Sequence, residues 1–133
     1  MIVNKSTDIE NEVRTALAPY MTAYCRPLPA DYTLPNILIT QVGGTDAQTI
    51  DTFEVVLDAR GTIEAEAFDC LRTAIAVLKT TAKAQTTAIR HVVVNSSGSW
   101  GADPVRPDLA MCSARLSVTA HQYLAEVKND KRN

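Results

Sequence analysis

The sequence predicts an α+β domain, with a central, mainly antiparallel β-sheet of four to five strands and two α-helices on one face. Two segments carry apolar residues at helical spacing. Several others are rich in β-branched residues and are bounded by Gly, Pro or Asn. The order is helix, strands, helix, strand pair, and the breaks between neighbouring strands are short. The chain of 133 residues fits one domain, read as residues 1–127 with a polar tail over 128–133 that is expected to be disordered.

The first helix is read from Ile9, Val13, Leu17 and Tyr20, which form one apolar stripe. Thr7 with Glu10 three residues on reads as a capping box, Asp8 suits the positive helix N-terminus, and Pro19 marks the end. Residues 21–35 are interrupted by Pro27, Pro29 and Pro35, with a short strand around residues 22–26. Ile37, Leu38 and Ile39 then open a strand that Gly43-Gly44 stops, with a turn through Thr45-Asp46. Their consecutive apolar side chains predict a strand covered on both faces. Over residues 49–60, Phe53, Val55, Leu57 and Ala59 alternate with Thr52, Glu54, Val56 and Asp58, a half-buried strand.

Gly61 breaks that strand, and Thr62 is placed to cap a second helix over residues 63–79. Its buried face is Ala67, Cys70, Leu71, Ala74, Ile75 and Leu78. Acidic residues come early in it, and Lys79 and Lys83 late, as the helix dipole favours. A strand over residues 88–95 follows. Residues 96–108, with the chain's single Trp, read as a long ordered loop feeding an alternating strand over 112–121. Such a loop places a surface.

Bulk properties narrow the function classes. Net charge is −2 and the sequence pI about 5.6, which supplies no basic field for nucleic acid or an anionic membrane. No apolar run approaches the roughly 20 residues of a membrane span, and no segment reads as a secretory leader. The three cysteines, Cys25, Cys70 and Cys112, have no metal-ligand or CxxC spacing and read as buried free thiols of a reducing compartment.

Each motif with chemical potential has a plainer reading. His91 and His121 lie on strands without convergent ligands, so no metal site is expected. Asp46, Asp51, Glu54 and Asp58 form an acidic series. Glu54 and Asp58 share a strand face about 13 Å apart, too far for paired-carboxylate chemistry, and read as a solvated or subunit-facing surface. Gly43-Gly44 has no following helix or GK[ST] and reads as a turn with positive φ. Ser96-Ser97-Gly98-Ser99 lacks the order of a nucleophile elbow. Arg60, Arg90 and Arg115 have no interleaved aromatics for single-stranded nucleic acid. No catalytic residue and no cofactor is assigned. The candidate assembly interface comprises Trp100, Asp103, Arg106, Glu54 and Asp58, with Trp100 read either as a plug beneath its own loop or as an interface anchor.

The ordered residues resemble a known family. Leu34-Pro35 precedes a strand ending Val42-Gly43-Gly44-Thr45. Asp51-Thr52-Phe53-Glu54-Val55-Val56-Leu57-Asp58-Ala59-Arg60 leads into an Ala-rich helix. Trp100-Gly101-Ala102-Asp103-Pro104 and Arg106-Pro107-Asp108-Leu109 precede the closing strand. Over residues 6–121 this is similar to the tail terminator, or tail-completion, proteins of long, flexible-tailed bacteriophages. Two positions depart from that pattern: Met111-Cys112 where an aromatic often follows an Arg, and Phe68 where the second helix often carries a Trp. The resemblance implies a virion structural protein assembled in the bacterial cytoplasm and placed at the head-proximal end of the tail. It implies a homohexameric ring that caps the tail tube, stops its polymerisation and docks to the head-side connector, with genome passing through the lumen without specific nucleic-acid binding. A head–tail connector or neck subunit, and a small ligand-binding module of a cellular pathway, are the alternative readings.

Overall fold

The computed structural model describes residues 1–45 and 49–128. It contains β1 (Ile2–Lys5), α1 (Ile9–Leu17), β2 (Ala23–Cys25), β3 (Asn36–Thr45), β4 (Ile50–Gly61), α2 (Glu64–Ala84), β5 (Ile89–Ala102), β6 (Ala110–His121) and β7 (Tyr123–Glu126). Five strands form one sheet in the order β2-β3-β4-β6-β5, and β1 and β7 form a separate two-stranded ribbon. Only β2 and β3 run parallel in the sheet; its other pairs are antiparallel. The fold is α+β, as the pattern predicts.

Alternation along the two central strands builds the core. Phe53, Val55, Leu57 and Ala59 of β4 and Cys112, Ala114, Leu116, Val118 and Ala120 of β6 are buried, and they pack with Ile9, Val13 and Leu17 of α1 and Ala67, Leu71, Ala74 and Leu78 of α2. Both helices therefore cover one sheet face. The other face carries Thr52, Glu54, Asp58, Ser113, Arg115, Ser117 and Thr119, all at least partly solvated. Leu38 points to this second face and is only partly buried, so β3 is fully covered on one face rather than two.

Several local expectations are corrected. Asp8, not Thr7, caps α1, accepting from the Asn11 N–H at 3.3 Å. The Thr7 hydroxyl instead donates to the His121 carbonyl at 2.7 Å, tying the helix start to the end of β6. Glu10 does not complete a capping box; its carboxylate accepts from Arg26 and from the Gln41 N–H, joining α1 to β2 and β3. Tyr20 leaves the α1 stripe because the helix ends before it, and its side chain is exposed. Thr62 does not cap α2: Ile63 occupies the cap position, and Glu66 reaches back to accept from the Thr62 N–H. The helix runs a turn beyond its expected end, to Ala84, and Ile75 is only partly buried.

Gly43-Gly44 does not form a turn. The strand bulges between Gln41 and Gly43 and continues to Thr45. Gly44 has φ +153°, and a Cβ there would lie 2.6 Å from the Thr52 carbonyl oxygen, so close strand approach demands glycine. The expected turn residue Asp46 and the tail residues 129–133 lie outside the described residues.

The largest correction concerns residues 96–102, which belong to β5 rather than to a loop. Three register shifts, at Ile89/His91, Val94/Ser96 and Ser97/Ser99, let the strand follow β6 through its Ser- and Gly-rich half. The connecting loop shortens to residues 103–109.

Candidate functional site

The five candidate interface residues lie in three places. Trp100 pairs across from Cys112, whose side chain is in the core, so Trp100 projects on the helical side of the edge strand β5. It is 47% exposed, which excludes a buried plug. Its ring lies 6.3 Å from that of Phe68 on α2, at an interplanar angle of 41°. The Arg72 guanidinium carbon sits 5.3 Å from the Phe68 ring centroid, in cation–π range. Gly98 opens the space beside Phe68, 3.7 Å from where its Cβ would be. The outcome is a solvent-facing aromatic pair on the sheet edge.

Asp103 is 4% exposed and points inward. It accepts from Arg60 Nε at 2.5 Å and from the N–H groups of Val105 and Arg106 at 2.8 and 3.0 Å. Burial alone would raise its carboxyl, but the hydrogen bonds from Arg60, Arg106 and Val105 and the Arg60 charge together hold it below the usual carboxylate range. Asp103 thus buttresses the loop from inside and offers no surface charge. Arg60 lies directly opposite Asn36 in the β3–β4 pair, and both are buried. Arg106 is exposed and makes a two-point contact with Asp108, at 3.0 and 2.8 Å, which holds the Asp108 carboxyl low.

Glu54 and Asp58 occupy the open sheet face. Glu54 pairs with Arg115 on β6 at 3.4 Å, and Asp58 accepts from the Ser113 hydroxyl. Each bonds a side chain of the neighbouring strand β6, on the sheet face opposite to the one Trp100 faces. Asp51, expected in a solvated series, is 1% exposed. It accepts from Ser6 Oγ at 2.7 Å and Gln122 Nε2 at 2.8 Å, at the base of the β1–β7 ribbon.

Sequence reasoning missed Phe68 and Arg72. The available signal was a large aromatic off the apolar stripe of α2, four residues before an arginine. It also missed the ribbon, which exposes Ile2 and Leu124. Among the described residues, no three His, Cys, Asp or Glu side chains are grouped to hold a metal ion. No helix among the described residues is long and apolar enough to cross a membrane. A groove of about 550 Å³ lies between Tyr20 and the outer face of α2, lined by Arg72, Thr73, Ala76, Val77, Thr80 and Thr81.

These features define an α+β two-layer protein with one bare sheet face and an aromatic pair on an edge strand. No protein-family model matches the chain, and no curated protein matches it.

Proposed function

We propose that the chain is a virion structural protein, a tail terminator whose ring caps the tail tube of a long, flexible-tailed phage and docks it to the head-side connector. It acts as a homo-oligomer, hexameric by resemblance, with no catalytic residue and no cofactor. The observation that supports this most is the solvent-facing pair of Trp100 on the edge strand and Phe68 on α2. Trp100 belongs to the segment that carries much of the resemblance, and large exposed aromatics are the side chains that anchor protein contacts. The bare polar sheet face, with its cross-strand pairs, suits a surface that meets solvent or a neighbouring subunit.

Negative-stain imaging of the purified protein and co-sedimentation with tail tube protein test the proposal. Rings that bind tube ends and stop tube growth are the expected result. A protein that stays monomeric and never sediments with tubes overturns it. Rings that bind only the connector would make it a neck subunit.

A further inference from the structure

The net charge of −2 averages over an uneven distribution. Residues 70–102, which take in most of α2 and all of β5, hold four cations and no Asp or Glu. The remaining 100 residues hold the other nine cations and all fifteen acidic residues. The fold then gathers the four cations on one flank. Arg72, Lys79 and Lys83 recur at i, i+7 and i+11, so they stand on one exposed side of α2, about 10 and 6 Å apart along its axis. Ala67, Leu71, Ala74 and Leu78 bury the opposite side.

The same cations line the seam between α2 and β5. Arg72 and Lys79 border a groove of about 400 Å³ with Val94 and Ser97. Lys79 and Lys83 border a second, of about 370 Å³, with Arg90 and His91. Lys79 belongs to both, so the two grooves adjoin. Little neutralises this flank. Arg72 shares Asp69 at 3.5 Å, with both side chains more than half exposed, and Arg90 donates to the Thr87 carbonyl. Among the described residues, Lys79, Lys83 and Arg90 form no ion pair.

The surroundings select the partner. The exposed α2 positions among the cations are Thr73, Ala76, Thr80 and Ala84, and none is the large anchor that fixes a protein contact. No Phe, Tyr or Trp occurs in residues 69–99, so the row of cations lacks the stacking platforms of a single-strand groove; the Phe68–Trp100 pair stands at one end only. What remains is a line of like charges on a stiff helix, which suits a stiff polymer of closely spaced anions. Duplex DNA carries one charge per about 1.7 Å of its axis.

We infer that the α2–β5 flank is a contact surface for the phosphate backbone of duplex DNA, with Lys79, Lys83 and Arg90 each meeting a phosphate and Arg72 at the margin. Phosphate contacts carry no sequence information, so the binding is non-specific. The surface belongs to the single copy. The contact therefore does not depend on the ring reading, and the aromatic pair at its end stays available to a neighbouring subunit.

Fluorescence anisotropy of a short labelled duplex, titrated with the full chain across a salt series, tests it. Wild type should bind with a dissociation constant of about 10⁻⁶–10⁻⁴ M at physiological salt. The logarithm of its binding constant should fall against that of salt with a slope of about −3, as three phosphates require. Lys79→Gln with Lys83→Gln should bring the slope to about −1 and weaken binding about tenfold or more at low salt. Both side chains are exposed, so circular dichroism should stay that of wild type. Neutralising two cations elsewhere, Arg14→Gln with Arg115→Gln, should leave affinity and slope unchanged. No binding by wild type at low salt overturns the inference. Equal weakening by the two pairs of substitutions also overturns it, since the effect would then be one of net charge. Tighter binding to a single strand of the same length would assign the flank to unpaired nucleic acid, and equal binding to polyglutamate would assign it to an acidic protein; either result overturns the duplex contact. Light scattering on the same samples reads the oligomeric state. A monomer that binds DNA keeps this contact and sinks the ring, while rings that ignore DNA do the reverse.

Discussion

Asp103 is a polar residue in an exposed-looking loop whose carboxylate is held inside the molecule by Arg60. A carboxyl lowered on folding is more ionised in the folded than in the unfolded state. Its contribution is therefore complete above the unfolded value, about 3.9, and is lost as pH falls through the folded value. Asp103→Asn removes the charge and leaves Arg60 facing a neutral partner, at a cost of about 2–3 kcal/mol near neutrality. Urea unfolding should show this gap at pH 7 and its narrowing toward pH 3. A gap that is constant with pH would assign the effect to shape rather than charge. The cysteines make a second case. Cys70 is pushed up to about 11 by burial, with Asp69 and Glu66 adding to the rise, and Cys112 is raised mainly by burial. Only Cys25 is half-buried. A thiol reagent at pH 8 should label Cys25 first and reach Cys70 and Cys112 only on unfolding, read by mass spectrometry of the labelled peptides.

Among the elements, β3 shows how a local signal can point the wrong way. Gly43-Gly44 has the composition of a turn, yet the strand passes through it because Thr52 and Phe53 approach too closely for a side chain. Gly44→Ala should cost about 1–3 kcal/mol through overpacking, seen as a lower urea midpoint with an unchanged slope; an unchanged midpoint would show that the strands separate freely there. The same principle marks where the fold was legible in sequence. Strand β4 and helix α2 announce themselves because their periodicity is local: Phe53, Val55, Leu57 and Ala59 alternate, and Ala67, Cys70, Leu71, Ala74 and Leu78 repeat at helical spacing. The distal half of β5 is illegible because Ser96-Ser97-Gly98-Ser99 has loop chemistry and becomes strand only by pairing with β6. Strands β1 and β7 are four residues each, and each owes its conformation to a partner some 120 residues away, as Ile2 pairing with Glu126 shows. The candidate site follows the same division: Trp100 is visible as a lone aromatic, but its contact with Phe68 exists only through the packing of α2 beside β5.

At the scale of the whole molecule, apolar surface sits at both ends of the long strands, with the core between them closed by α1 and α2. A monomer of this shape keeps a stable centre and a weakly held ribbon. Backbone amides of β1 and β7 should therefore exchange with deuterium far faster than those of β4 and β6 in dilute protein. If a second copy completes the ribbon, association draws the equilibrium toward the folded, assembled form, and the melting temperature should rise with protein concentration. Protection of β1 and β7 should rise with it, over the same concentration range in which light scattering reports oligomers. Protection that appears in β5 but not in the ribbon would place the contact on the aromatic edge alone. Ribbon amides that are equally protected at every concentration would mean that the ribbon is stable by itself and needs no neighbour.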